Sequence, residues 1–185
     1  MSQSSSCKIS ETRQTSNNIG QLSDSLLADV GFECDVDGTS NAFLILLDEG
    51  TDWMVCKYLG VGQHTRSAQQ LYQAAEDGWI SWAGPPDVFV ADNERGFYAE
   101  IFFTKLGQAG TLYNPTAEYA PWQKGKVERK IQSFKAIIRK TVMYRQCKAD
   151  EMKVVGIEAA TALNQRPDPT GVSAAMMLFG QRLAS

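Results

Sequence analysis

The sequence predicts an α/β domain built on a mixed five-stranded sheet, its first three strands antiparallel and its last two parallel, with helices on both faces. Two observations predict it. Residues 30–58 hold three short apolar runs separated by turn clusters, the pattern of an antiparallel meander. Beyond residue 66 the pattern becomes helix, strand, helix, strand and then helices alone, and intervening helices are what make neighbouring strands parallel.

Taken in order, Phe32–Val36 alternates in character and leads into the turn Asp37-Gly38-Thr39-Ser40. Ala42–Leu47 is an unbroken apolar run, suited to a strand covered on both faces. A turn at Asp48–Thr51 precedes a third strand, Trp53–Tyr58. Ala68, Leu71, Tyr72, Ala75 and Trp79 recur at spacings of three and four, which predicts a helix over Ser67–Trp82, ended by Gly84-Pro85-Pro86. Val88–Ala91 is a strand running into Asp92, and Phe97–Leu106 a helix stopped by Gly107. A short strand is expected near Gly110–Leu112, then a loop over Asn114–Trp122. Helices follow over Gln123–Gln146, Asp150–Asn164 and Ala174–Phe179.

The 185 residues are about one domain long, and 43% hydrophobic with 21% charged is ordinary globular composition. Residues 1–22 are rich in Ser, Gln, Asn and Thr, so residues 1–29 are assigned to a disordered tail or linker and 30–185 to the folded domain. The four cysteines (Cys7, Cys34, Cys56, Cys147) lack CxxC spacing and His64 is the sole histidine, which excludes a closed zinc site of the usual pattern. Scattered thiols without a signal peptide point to a reducing, nuclear or cytoplasmic setting. No apolar run reaches the ~18 residues of a membrane span. His64 is expected at the surface. Net charge is −3, yet eight of the 18 Lys and Arg residues lie between Lys124 and Arg145, with only Glu128 against them. Such a local positive strip attracts polyanions.

Three carboxylates carry the candidate chemistry. Asp92 ends a strand, Glu128 stands one turn into the long helix, and Asp35 lies inside the first strand pattern, with Asp37 two residues on beginning the turn. The flanks of these residues resemble a known family. Val88-Phe89-Val90-Ala91-Asp92-Asn93, followed by Gly96-Phe97, is similar to the apolar strand ending in Asp-Asn-Gly-x-x-Phe of retroviral and LTR-retrotransposon integrase catalytic cores. Tyr119–Arg129, with Gly125 and Glu128-Arg129, resembles their Gly-x-x-Glu-Arg helix start. Phe43–Leu47, Asp48, Gly50-Thr51 and Trp53 resemble their second strand, and Asn164-Gln165-Arg166, Gly171-Val172-Ser173 and Phe179-Gly180 the end of the domain. The resemblance covers residues 30–181. Departures are Glu94 where Gly is usual, Ile131 where Asn is frequent, and Ala174 where Pro is common.

The resemblance implies a ribonuclease H-like three-layer fold and DNA integration, that is, end processing and strand transfer on double-stranded DNA. It implies two Mg²⁺ (or Mn²⁺) ions bridged by Asp35, with Asp92 completing one site and Glu128 the other. Two such ions about 3.5–4 Å apart serve both ends of an in-line displacement at a phosphodiester. On the helix, Val127, Ile131, Phe134, Ile138 and Val142 form an apolar stripe, and Glu128, Gln132, Lys135 and Arg139 the adjacent edge. Gln132, Lys135 and Arg139, with Lys124 and Tyr119, are the candidate DNA contacts. Trp122 either packs or touches DNA. Lys126, Arg129, Lys130 and Lys140 point away from Glu128 and are read as a solvated face. A homo-oligomer is expected by analogy. The alternatives are an inactive integrase-derived binding module and a nuclease acting on RNA–DNA hybrids.

Overall fold

The computed structural model describes Leu22 and residues 24–63, 66–91, 95–115 and 121–180. Every side chain from Asn41 to Asp48 is buried in β2 (Ser40–Asp48), which therefore has protein on both faces, as its apolar run requires. Around it stand β1 (Ser25–Cys34), β3 (Met54–Val61), β4 (Val88–Ala91) and β5 (Leu112–Pro115), in the order β3-β2-β1-β4-β5. The first three strands pair antiparallel; β1 with β4 and β4 with β5 pair parallel. This is the predicted sheet.

Its bounds differ from expectation at β1. The strand begins at Ser25, inside the segment assigned to the tail, and pairs with β2 continuously from Leu26↔Asp48 to Cys34↔Ser40. Leu26-Leu27-Ala28 is an apolar triplet too short to show periodicity against its polar surroundings. β3 runs past Tyr58 to Val61 through a bulge, where Phe43 pairs with Tyr58 and Ala42 with Gly60. Gly60 takes φ 99° there. Buried Arg66 fastens this end by donating to the carbonyls of Gly60 (3.1 Å) and Gly62 (3.0 Å). β5 begins at Leu112, after the turn at Gly110.

Strand alternation sorts the core into two layers. Leu27, Phe43, Ile45, Leu47 and Val90 face α4 (Pro121–Arg145) and α5 (Met152–Gln165). Leu26, Ala28, Leu44, Leu46, Phe89 and Ala91 face α1 (Ala68–Ala75) and α3 (Glu100–Gln108). α1 opens with a capping box between Ser67 and Gln70 and buries Ala68, Leu71, Tyr72 and Ala75. The helical path continues through a π-turn at Glu76–Ile80 and a last turn, α2 (Ser81–Ala83), before Gly84 ends it. A 3₁₀ turn at Arg95–Tyr98 precedes α3. On α4 the predicted stripe is buried at Ile131, Phe134, Ile138 and Val142.

The short α6 (Ala174–Phe179) is N-capped by Ser173 and tied back by a T-shaped contact between Phe179 and Trp53. At the outer edge of the sheet, the Asn164 amide donates to Met54 O and accepts from Met54 N, both at 2.8 Å. A side chain thus takes the place of a neighbouring strand. Gly156 of α5 packs face-on to the sheet: a Cβ there would meet Phe43 Cε1 at 2.8 Å and Cys56 Sγ at 3.0 Å. Gly156→Ala should destabilise the protein by about 1–3 kcal/mol through overpacking. Gly107→Ala, on α3 with open space around it, should be neutral or stabilising by up to about 1 kcal/mol. Urea unfolding of the two variants checks the contrast.

Candidate active site

The parallel ladder between β1 and β4 decides which acids can meet. Ser25 pairs with Val88, Leu26 with Phe89, Leu27 with Val90 and Ala28 with Ala91. Asp29 is the next residue on β1; Asp92 is the next residue after Ala91 in the sequence and lies outside the described residues. Asp29 follows Leu27 by two positions and so projects to the α4 side of the sheet, where it is half-buried.

Two contacts fix α4 along β1 on that same side. Arg139 donates Nε–H to Glu33 Oε2 (2.8 Å) and Nη2–H to Glu33 Oε1 (2.7 Å), a bidentate pair on a carboxylate only 5% exposed. The carboxylate raises the Arg139 pKa further, first by hydrogen bonding and then by its charge. One turn earlier, the Lys135 stem crosses Gly31, whose missing Cβ would lie 3.2 Å from Lys135 Cε. Helix and strand therefore advance together, four helical residues against two strand residues, about 6 Å of rise in each. Two further turns back along the same edge comes Glu128, about 10 Å before Lys135, while Asp29 stands about 7 Å before Gly31. The exposed Glu128 side chain thus leaves the helix beside the β1 segment that carries Asp29.

Asp35 stands apart from Asp29 and Glu128. It lies seven residues beyond Ala28, about 23 Å further along the strand direction. Its carboxylate is also engaged: Oδ1 accepts from the amides of Asp37 (3.0 Å) and Thr39 (2.8 Å), and Oδ2 from Asn41 Nδ2 (3.3 Å). Gly38, at φ 79°, completes the turn. Tyr58 donates its hydroxyl to Asn41 Oδ1 (2.7 Å), closing a network over the hairpin. Burial pushes the Tyr58 hydroxyl above its ordinary range, with Arg66 opposing and Asp35 adding. Asp35 is a turn-forming acid. Asp48 is likewise a turn residue, accepting from the Thr51 amide (2.7 Å) and hydroxyl (2.6 Å).

Asp29 lies on the part of β1 that precedes the strand expected from sequence, yet Leu26-Leu27-Ala28-Asp29 repeats the form of Val88-Phe89-Val90-Ala91-Asp92, an apolar run ending in an acid. Asp29 and Glu128 offer the hard oxygen donors that Mg²⁺ and Mn²⁺ take. Among the described residues no three His, Cys, Asp or Glu side chains are grouped to hold a metal, and Asp92 is outside that set.

The candidate DNA contacts separate as well. Gln132 is exposed and Lys135 half-exposed on the Glu128 edge. Arg139 is the ion-pair partner of Glu33, which gives it a structural task that the sequence did not indicate. Tyr119 and His64 lie outside the described residues, as do the side chains of Lys124 and Trp122. Among the described residues no helix is long and apolar enough to cross a membrane.

No protein-family model and no curated protein matches the sequence. Solved structures do match. The catalytic core of HTLV-2 integrase in complex with magnesium (trimeric form) has a TM-score of 0.66 at 17% identity, over 85% of this chain and 98% of that one. The catalytic core of BIV integrase has a TM-score of 0.64 at 15% identity, over 83% and 93%. A chain of the simian T-cell lymphotropic virus intasome in complex with PP2A regulatory subunit B56 gamma has a TM-score of 0.69 at 14% identity, over 95% of this chain and 61% of that one. The likeness is one of fold: the chain has the ribonuclease H-like architecture seen in retroviral integrase cores.

The α4–β1 clamp makes a specific prediction. Arg139→Met strands the Glu33 carboxylate in a nearly closed site and should lower the unfolding midpoint more than Arg145→Met, whose partner Glu158 is 45% exposed. Adding Glu33→Gln to Arg139→Met should recover part of the loss. Thermal melts of the three variants beside the parent give the answer; equal losses for Arg139 and Arg145 would refute the clamp.

Proposed function

We propose that this domain is the catalytic core of an integrase-type enzyme that cuts and rejoins DNA with divalent metal ions held by Asp29, Asp92 and Glu128. The observation that supports this reading is the β1–β4 register, which pairs Ala28 with Ala91, the residues that precede Asp29 and Asp92 in the sequence, with Glu128 leaving α4 on the Asp29 side. The fold shared with integrase cores, and the Asp-Asn and Glu-Arg flanks of Asp92 and Glu128, support it further.

Phosphodiester exchange needs an activated hydroxyl and a stabilised leaving oxygen, and bound Mg²⁺ or Mn²⁺ supplies both functions. In this reading Asp29 takes the shared position that the sequence alone gave to Asp35. It suits that task because it stands on a strand paired on both sides, with its backbone fixed before any ion binds. Glu128 approaches from the helix. Gln132 and Lys135 extend the same edge along α4 and would hold the phosphate backbone as it passes the carboxylates. The substrates are double-stranded DNA, as element end and as target, and a paired assembly would hold two ends together.

The test is a joining and nicking assay on a branched DNA substrate with Mn²⁺. Activity should be abolished by EDTA, and Asp29→Asn and Glu128→Gln should each lower it at least about 100-fold, as loss of several kcal/mol of charge stabilisation requires. Asp35→Asn, compared at equal folded fraction, should stay within a few-fold of the parent. Full metal-dependent activity in Asp29→Asn would sink this assignment, and no metal-dependent activity in the parent would favour the inactive binding module.

A further inference from the structure

The flank of α4 opposite Glu128 borders a groove of about 540 Å³, closed by the Gly50–Asp52 turn, the end of α5, the loop 166–173 and α6. Its cations are Arg129, Lys130 and Arg166, against the carboxylates Asp52 and Asp168. Three against two makes the groove locally positive in a chain of net charge −3. The sequence led to Arg129 and Lys130 being read as a solvated helix face. The structure instead sets them along the wall of a concavity.

The cations differ in what they already hold. Lys130 is half-exposed and paired with Asp52 at 3.4 Å. Arg129 and Arg166 are exposed, and neither guanidinium has a carboxylate partner among the described residues. Asp168, by contrast, spends its carboxylate on its own loop. Its Oδ1 accepts from the Thr170 hydroxyl (2.6 Å), the Thr170 amide (2.8 Å) and the Val172 amide (3.1 Å). These bonds, the Thr170 hydroxyl foremost, hold the Asp168 carboxyl below the usual carboxylate range.

The walls are fixed before anything binds. Asp48 and Thr51 lock the turn, Asn164 binds the end of α5 to Met54, and Phe179 against Trp53 holds α6. The floor between them carries Leu163, Val172 and Met177. Planar guanidinium forks over a partly apolar floor suit phosphates joined by sugars better than a lone small anion.

We propose that this groove is a second, non-catalytic track for the phosphodiester backbone of duplex DNA, gripped by Arg129 and Arg166 on the side of α4 away from the carboxylates. The choice of DNA rests on the reading that this domain handles DNA; the grip itself needs no metal, so the two ideas can fail separately.

Anisotropy of a labelled 30-base-pair duplex, titrated in EDTA at several salt concentrations, tests it. Arg129→Gln with Arg166→Gln should weaken binding about tenfold or more and flatten the salt dependence by about 1.8 in slope, 0.9 for each lost phosphate contact. Lys148→Gln, an exposed cation away from the groove, should change little. The Asp29→Asn variant should bind as the parent does, whatever its activity. An unchanged slope in the arginine double variant, with its melting temperature intact, would overturn the proposal. So would displacement of the duplex by poly-glutamate as readily as by unlabelled DNA, since that would mark a site for acidic peptides.

Discussion

The site depends on one constraint, the register of the parallel pair β1 and β4. Side-chain direction in a strand alternates, and a ladder fixes which residues stand side by side. Leu27 stands opposite Val90 and Ala28 opposite Ala91, so the paired ladder carries β1 up to the residue immediately before Asp29. The antiparallel pairing with β2 on the other side, unbroken from Leu26 to Cys34, holds that register against slippage.

α4 is the second half of the arrangement, and its flanks have different tasks. Ile131, Phe134, Ile138 and Val142 press the helix to the sheet by apolar burial, which resists lifting but only weakly resists sliding. The bidentate Arg139–Glu33 pair and the close crossing of Lys135 over Gly31 set the sliding coordinate. Glu128 inherits its height from them. On the far flank, Lys130 meets Asp52, and Arg129 turns toward the groove beside Arg166.

Much of this was readable from residues alone. The apolar run of β2, the spacing-three-and-four pattern of α1 and the stripe on α4 each follow from burial on one face or two, and each appears where expected. Asp29 was not readable in the same way. It lies six residues before Asp35, an even number, so both acids project to the same side of β1 and alternation cannot choose between them. Local pattern favoured Asp35, because Phe32–Val36 alternates whereas Leu26–Ala28 is a bare triplet after a polar stretch. What separates them is a contact with β4 some sixty positions away, which no local window contains. The Glu33–Arg139 pair was hidden for the same reason, its partners being 106 residues apart.

Anomalous diffraction from crystals soaked in Mn²⁺ measures the central claim most directly, because it locates the ion without reference to activity. The account predicts a peak within coordination distance, about 2.0–2.6 Å, of a carboxylate oxygen of Asp29. A peak on Asp35, or ordered manganese elsewhere with none at Asp29, would contradict it.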